Sequence, residues 1–179
     1  VNTADTTSEL SARLRAAASA MAALRPRIEA DRPWPLHDVE EGTGPESAWG
    51  PTEVLAHVAE MLQFWLGEIE RILDGGPGPV PFGRTAADRV RVLTIERDRT
   101  LPPRELLDRI QASTERYARR LAELGPDDLD RPGLHPTRGE LTVRDAIRRF
   151  VVDHAEEHLV QLQVALEGRA EPTGLGPGD

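Results

Sequence analysis

The chain reads as an all-α protein, a four-helix bundle whose second and third helices are joined by a link long enough for a crossover. Three observations predict it. Apolar residues recur at helical spacing in four long stretches, Pro- and Gly-rich segments separate these stretches, and no stretch carries a strand signal. At 179 residues without an internal break in pattern, the chain suits one domain, large enough to bury a sizeable core. We place that domain at 1–168 and expect a disordered tail over 169–179.

Helix one covers about residues 8–30, with Leu10, Leu14, Ala17, Met21, Leu24 and Ile28 at core spacing and Pro26 as a kink or interruption. A Pro-rich, acidic connection over 33–50 follows. Helix two starts near Pro51, where a missing amide donor costs little, and stops before the Gly/Pro run 74–83. Its stripe is Val54, Val58, Met61, Trp65, Ile69 and Ile72. Residues 85–99 fit neither period cleanly and could form a short helix or a partly extended crossover; they are assigned a short helix. Helix three runs from 101 to Leu124, with Leu106, Ile110, Thr114, Tyr117, Leu121 and Leu124 on one face. A loop is expected over 125–140, then Thr142 and Asp145 as a cap for helix four.

Composition narrows the function. The chain has no Cys, hence no disulfide, no Cys-ligated zinc and no thiol nucleophile of its own, so any thiol chemistry needs a thiol from outside. A formal charge of -9 and a pI near 5.1 argue against a nucleic-acid partner, whose phosphates require a basic surface. No stretch approaches the ~20 apolar residues of a membrane span, and the N-terminus lacks a signal-peptide pattern. We therefore expect a soluble cytoplasmic protein with a small-molecule substrate, no membrane partner, and a homodimer as a common state for such bundles.

Two histidines stand out in helix four. Val143, Ile147, Phe150, Val151, His154, His158, Gln161 and Ala165 cluster within roughly 100° of arc, so two imidazoles lie in line with the apolar face. An unpartnered buried imidazole costs on the order of 1–3 kcal/mol, and residues at i and i+4 are close enough to bind one ion together. His57 lies about 80° from the centre of the helix-two stripe and can also turn inward. Three nitrogen ligands leave a divalent ion open to water or substrate, the arrangement of a catalytic site. The bland alternative is three separately satisfied core imidazoles. His37 and His135 fall in expected loops and are left out of the ligand set.

The stretch from Trp49 to Val58, WGPTEVLAHV, followed about a hundred residues later by TVRD at 142–145 and HAEEHLVQ at 154–161, resembles the DinB/YfiT superfamily of metal-binding four-helix bundles. Order, separation and placement on apolar faces carry the resemblance, which spans essentially the whole chain. It implies a crossover between helices two and three and a divalent ion, usually zinc or nickel, on His57, His154 and His158. It also implies that some members activate a low-molecular-weight thiol for transfer or isomerisation, as in the bacillithiol- and mycothiol-dependent enzymes. The mycothiol-dependent isomerases carry Glu at one ligand position. Here all three are His, which counts against isomerase chemistry.

An open three-histidine site would bring bound water towards neutral pKa or hold a thiol as thiolate. The expected function is a metal-dependent transferase using an external, mycothiol-like thiol. The alternatives are a hydrolase using water and a non-catalytic metal- or ligand-binding stress-response protein. Tyr117 and Gln161 are candidates for catalytic or substrate contacts, each against an ordinary structural role. Glu53, Glu60 and Glu157 could orient a ligand imidazole, but a solvated helix face is the simpler account. Arg84, Arg138, Arg148 and Arg149 could meet an anionic cosubstrate, against the default of salt-linked surface.

Overall fold

Thr6 opens the first helix with a reciprocal cap: its hydroxyl accepts from the Glu9 N–H, and the Glu9 carboxylate accepts from the Thr6 N–H at 2.7 Å. In the computed structural model, which describes residues 6–30, 34 and 49–167, this helix, α1, spans Thr7–Ala23. It breaks at Leu24 and resumes as α2, Arg25–Ala30, with Pro26 in its first turn. His37 and the expected 169–179 tail lie outside the described residues.

Helix α3, Pro51–Asp74, begins at the predicted proline. The Glu53 carboxylate accepts from the Gly50 N–H at 2.7 Å and receives the Arg99 guanidinium at 3.0 Å. Glu53 is fully buried, which corrects its assignment to a solvated face. Glu60 is corrected too: it takes the Arg84 guanidinium with both side chains below a tenth exposed, and Arg84 also lies 3.8 Å over the Phe64 ring. The ambiguous stretch contains a helix, α4, Arg89–Asp98. Its buried residues are Arg91, Val92, Ile95 and Asp98, a helical stripe that was hidden because two of its members are charged while Val90 and Leu93 face solvent.

Helix α5, Pro103–Glu123, completes the scaffold with the last helical run, α7 (Val143–Ile147), a π-helical turn (Arg148–Asp153) and α8 (His154–Glu167). α1 packs on α5 and α8, and α3 packs on α5 and α8, so α1 and α3 occupy opposite corners. Ion pairs give the directions. Glu53 near the start of α3 meets Arg99 just before α5, and Glu70 near the end of α3 meets Arg120 near the end of α5 at 2.7 Å. The two helices therefore run parallel. Consecutive parallel helices need a connection as long as the bundle, and residues 75–102, with α4 packed on α3, supply the crossover.

The expected loop over 125–140 is more ordered than its sequence indicated. It holds a short helix, α6 (Pro126–Leu129), and part of a small sheet in which β1 (Val80–Pro81) pairs in parallel with β2 (Pro132–His135), and β2 pairs antiparallel with β3 (Gly139–Thr142). The strands are too short for alternation to register. The β2–β3 hairpin turns through three residues and closes on Gly139, whose φ of +74° suits glycine. Gly133 admits the close approach of this sheet to the bundle, since a Cβ there would lie 2.7 Å from Ile72 Cδ1 and Phe82 Cδ1.

The π turn has a sequence cause. Val143, Ile147, Val151 and Ala155 are all buried and recur every four residues. In a regular α-helix three such steps drift by about 120°, whereas one wider turn keeps them against the core. Thr142 caps the run as expected, accepting from the Asp145 N–H at 3.1 Å.

Candidate metal centre

His57 enters the bundle from the second turn of α3, and His154 and His158 enter from the first turn and a half of α8, which runs antiparallel to α3 alongside it. Their Nε2 atoms converge: His154 Nε2 lies 3.2 Å from His57 Nε2 and 3.1 Å from His158 Nε2. His57 and His158 are buried, while the His154 side chain is 30% exposed and forms the open edge. The predicted trio is thus brought together across the bundle, with ligand atoms of all three within 4.8 Å of one another.

The outer ring nitrogens are arranged to present the inner ones. His158 Nδ1 donates to Gln161 Oε1 at 2.8 Å, and His154 Nδ1 donates to Glu157 Oε2 at 3.3 Å. With Nδ1 protonated, each Nε2 carries a lone pair. His57 Nδ1 is buried without a hydrogen-bond partner among the described residues, and its ring meets Trp49 edge-on at 5.4 Å. Burial, followed by His158, Arg91, His154 and Arg84, holds the His57 imidazole well below its ordinary pKa. Burial and then His154 push His158 down to about 4, with Arg91 adding to this and the bond to Gln161 opposing it.

These residues fit a divalent ion. Tetrahedral coordination at ~2.05 Å separates ligand nitrogens by about 3.3 Å, close to the two spacings observed. The His154 and His158 Nε2 lone pairs, 3.1 Å apart, repel unless a cation or a proton lies between them. The neutral form favoured by burial is also the form a metal requires.

Arg91 was not anticipated. It is buried on α4, donates to the Ala86 carbonyl at 3.1 Å, lies 5.5 Å from the Trp49 ring, and places its charge near His57 and His158. The α4 stripe would have revealed it had charged residues been admitted to the core.

His135 is a correction: it is not an exposed loop imidazole but is 5% exposed, stacked on Phe150 at 4.9 Å and on Trp65 at 6.2 Å. Its Nδ1 accepts from the Thr137 N–H, and burial and then Arg138 lower its pKa. It does not join the trio.

Tyr117 is fully buried in α5, and its hydroxyl has no partner among the described residues. Burial and then Glu70 raise its pKa well above the ordinary value. Glu70 is 13 residues beyond His57 on α3, about 20 Å of helix rise away. That places Tyr117 towards the far end of the bundle from the histidines.

A cleft of about 440 Å³ opens beside His154, lined by Trp65, Phe150, Asp153, Glu157 and the arginines Arg138, Arg148 and Arg149. Arg148 is bound to Asp145 at 3.1 Å, as expected of salt-linked surface. Among the described residues, no helix is long and apolar enough to cross a membrane.

Comparison with known proteins bears on the whole chain. The profile of the DinB superfamily matches residues 3–162. Among solved structures the chain is similar to YfiT from Bacillus subtilis, described as a probable metal-dependent hydrolase with an unusual four-helix bundle topology. That likeness has a TM-score of 0.66 at 16% identity, covering 94% of this chain and 91% of that one, and shows a shared fold. No curated protein matches the sequence.

Proposed function

The chain belongs to the DinB superfamily, and from that premise we propose that His57, His154 and His158 hold a divalent ion, zinc or nickel, at the centre of a metal-dependent transferase that uses an external low-molecular-weight thiol. The observation that carries the reading is the convergence of three Nε2 atoms at 3.1–3.2 Å, with His154 on the edge of an open cleft. Bound there, such an ion supplies Lewis acidity, which lowers the pKa of a thiol or water held on its open side.

The protein's own groups supply the rest. Burial keeps His57 and His158 neutral near pH 7. Gln161 Oε1 orients the His158 ring and Glu157 the His154 ring, the carbonyl and carboxylate roles that fix ligand imidazoles. The cleft admits a small molecule beside His154. In the transfer, the thiol gives its proton to solvent, its sulfur forms a bond to an electrophilic carbon, and the leaving group departs with the electron pair of the broken bond. A chain without Cys needs this thiol from outside.

A hydrolase using water as nucleophile is the second reading, favoured by the description of YfiT. Elemental analysis of the purified protein and conjugation of monochlorobimane with mycothiol, bacillithiol or glutathione test both. Conjugation lost in His154→Ala supports the transferase. A metal-loaded protein inert with every thiol but active on activated esters supports the hydrolase. Absence of stoichiometric metal, with uptake unchanged in His57→Ala, ends the metal reading.

A further inference from the structure

The cleft beside His154 carries an imbalance of charge that the metal centre does not explain. Of its two acids, Asp153 shares the Arg13 guanidinium with Glu156, and Glu157 accepts from the neutral His154 ring and keeps its charge. Arg148 is bound to Asp145. Arg138 and Arg149 have no carboxylate partner among the described residues, although both line the cleft. In a chain of net charge -9, a cleft lining in which three arginines stand against two carboxylates marks a local excess of positive charge.

The two arginines come from separate elements that the fold clasps together. Arg149 sits in the π turn immediately before Phe150, and Arg138 sits in the β2–β3 turn, three residues after His135. His135 stacks on Phe150 at 4.9 Å with the rings 20° apart, and Phe150 stacks on Trp65 at 4.4 Å and 8°. Gly83 makes room for this stack, since a Cβ there would lie 2.5 Å from His135 Cδ2. The hairpin is thereby held against the π turn, and the arginines are carried on braced backbone. Trp65 and Phe150 provide apolar lining, and about 440 Å³ is within the range of small-molecule sites.

We infer that this cleft binds the anionic end of a small substrate or cosubstrate, a carboxylate or phosphate attached to an apolar body, through Arg138 and Arg149. Guanidinium groups match such oxyanions with paired, charge-assisted hydrogen bonds. The inference rests on the metal reading only for which end of the ligand reacts: the anion is held by the arginines and the other end lies towards His154.

The test is calorimetric titration of metal-free and metal-loaded full-length protein with benzoate, phenyl phosphate and neutral benzyl alcohol. The anionic probes are expected to bind at least about tenfold more tightly than the alcohol, with a preference that weakens at high salt. The stronger of the two anions identifies the source as carboxylate or phosphate. Arg138→Gln combined with Arg149→Gln is expected to abolish the preference while metal content and circular dichroism stay unchanged. Arg116→Gln, an exposed arginine on α5, serves as the control and is expected to have no effect. Equal binding of alcohol and anions, an unaffected double variant, or an equal loss in Arg116→Gln would overturn the inference. Failure of metal uptake with the anion preference intact would remove the metal reading alone.

Discussion

His57 Nε2 lies 3.2 Å from His154 Nε2 although 97 residues separate them in the chain. The contact exists because α8 runs antiparallel to α3 and the π turn before His154 sets which side of α8 faces the bundle. Two imidazole nitrogens at this distance, joined by a third from His158, form a cluster whose spacing suits a divalent cation. Replacing His57 with Ala is expected to reduce bound metal well below one equivalent and to remove the rise in Tm that added zinc or nickel produces. His135→Ala is expected to retain the metal. Elemental analysis and thermal melts with and without metal check both.

Glu53 and Arg99 join the start of α3 to the end of the crossover. Glu53 is fully buried and also caps Gly50. Removing one member of such a pair leaves an uncompensated charge, so Glu53→Ala is expected to cost roughly 3–5 kcal/mol. Urea unfolding of the single variants and of Glu53→Ala/Arg99→Met measures the coupling, and a double variant less stable than the sum of both losses would contradict this account.

Tyr117 buries a hydroxyl without a partner among the described residues. Tyr117→Phe keeps the ring and removes the unsatisfied group, and is expected to raise stability by about 1 kcal/mol while leaving metal content and any conjugation activity intact. A loss of activity at constant Tm would return Tyr117 to the site.

His135 gives the protein an acid-sensitive brace. Its folded-state pKa is lowered by burial, so the unfolded state takes up a proton first as pH falls. Its contribution to stability is fully present above pH ~6.5, the ordinary value, and is lost as pH falls through the folded value. His135→Phe keeps an aromatic ring beside Phe150 and is expected to flatten this part of the stability profile. Urea midpoints at pH 7.5 and pH 5, compared between parent and variant, decide it.

Much of the bundle was legible because helical periodicity is local. Pro51 at the start of α3, the break near Pro26, the Thr142 cap and the inward aim of His57, His154 and His158 all follow from residues within a turn or two of each other. Reading charge as exposure hid other features. Arg91 and Glu53 are buried, and the Glu60 side chain is largely covered, because each finds a partner distant in sequence or on another element. The β2–β3 hairpin escaped notice because strands of four residues hardly alternate, and His135 lies on one of them.

The sequence by itself determined four amphipathic helices, their punctuation and three histidines directed at a common core. Only the tertiary structure decided that α3 and α5 run parallel, that the three Nε2 atoms meet, and that Arg138 and Arg149 share a cleft beside His154. The physical reason is range: helix spacing is set by neighbours three and four residues apart, whereas a site assembled across 97 residues depends on how whole helices are packed and aligned.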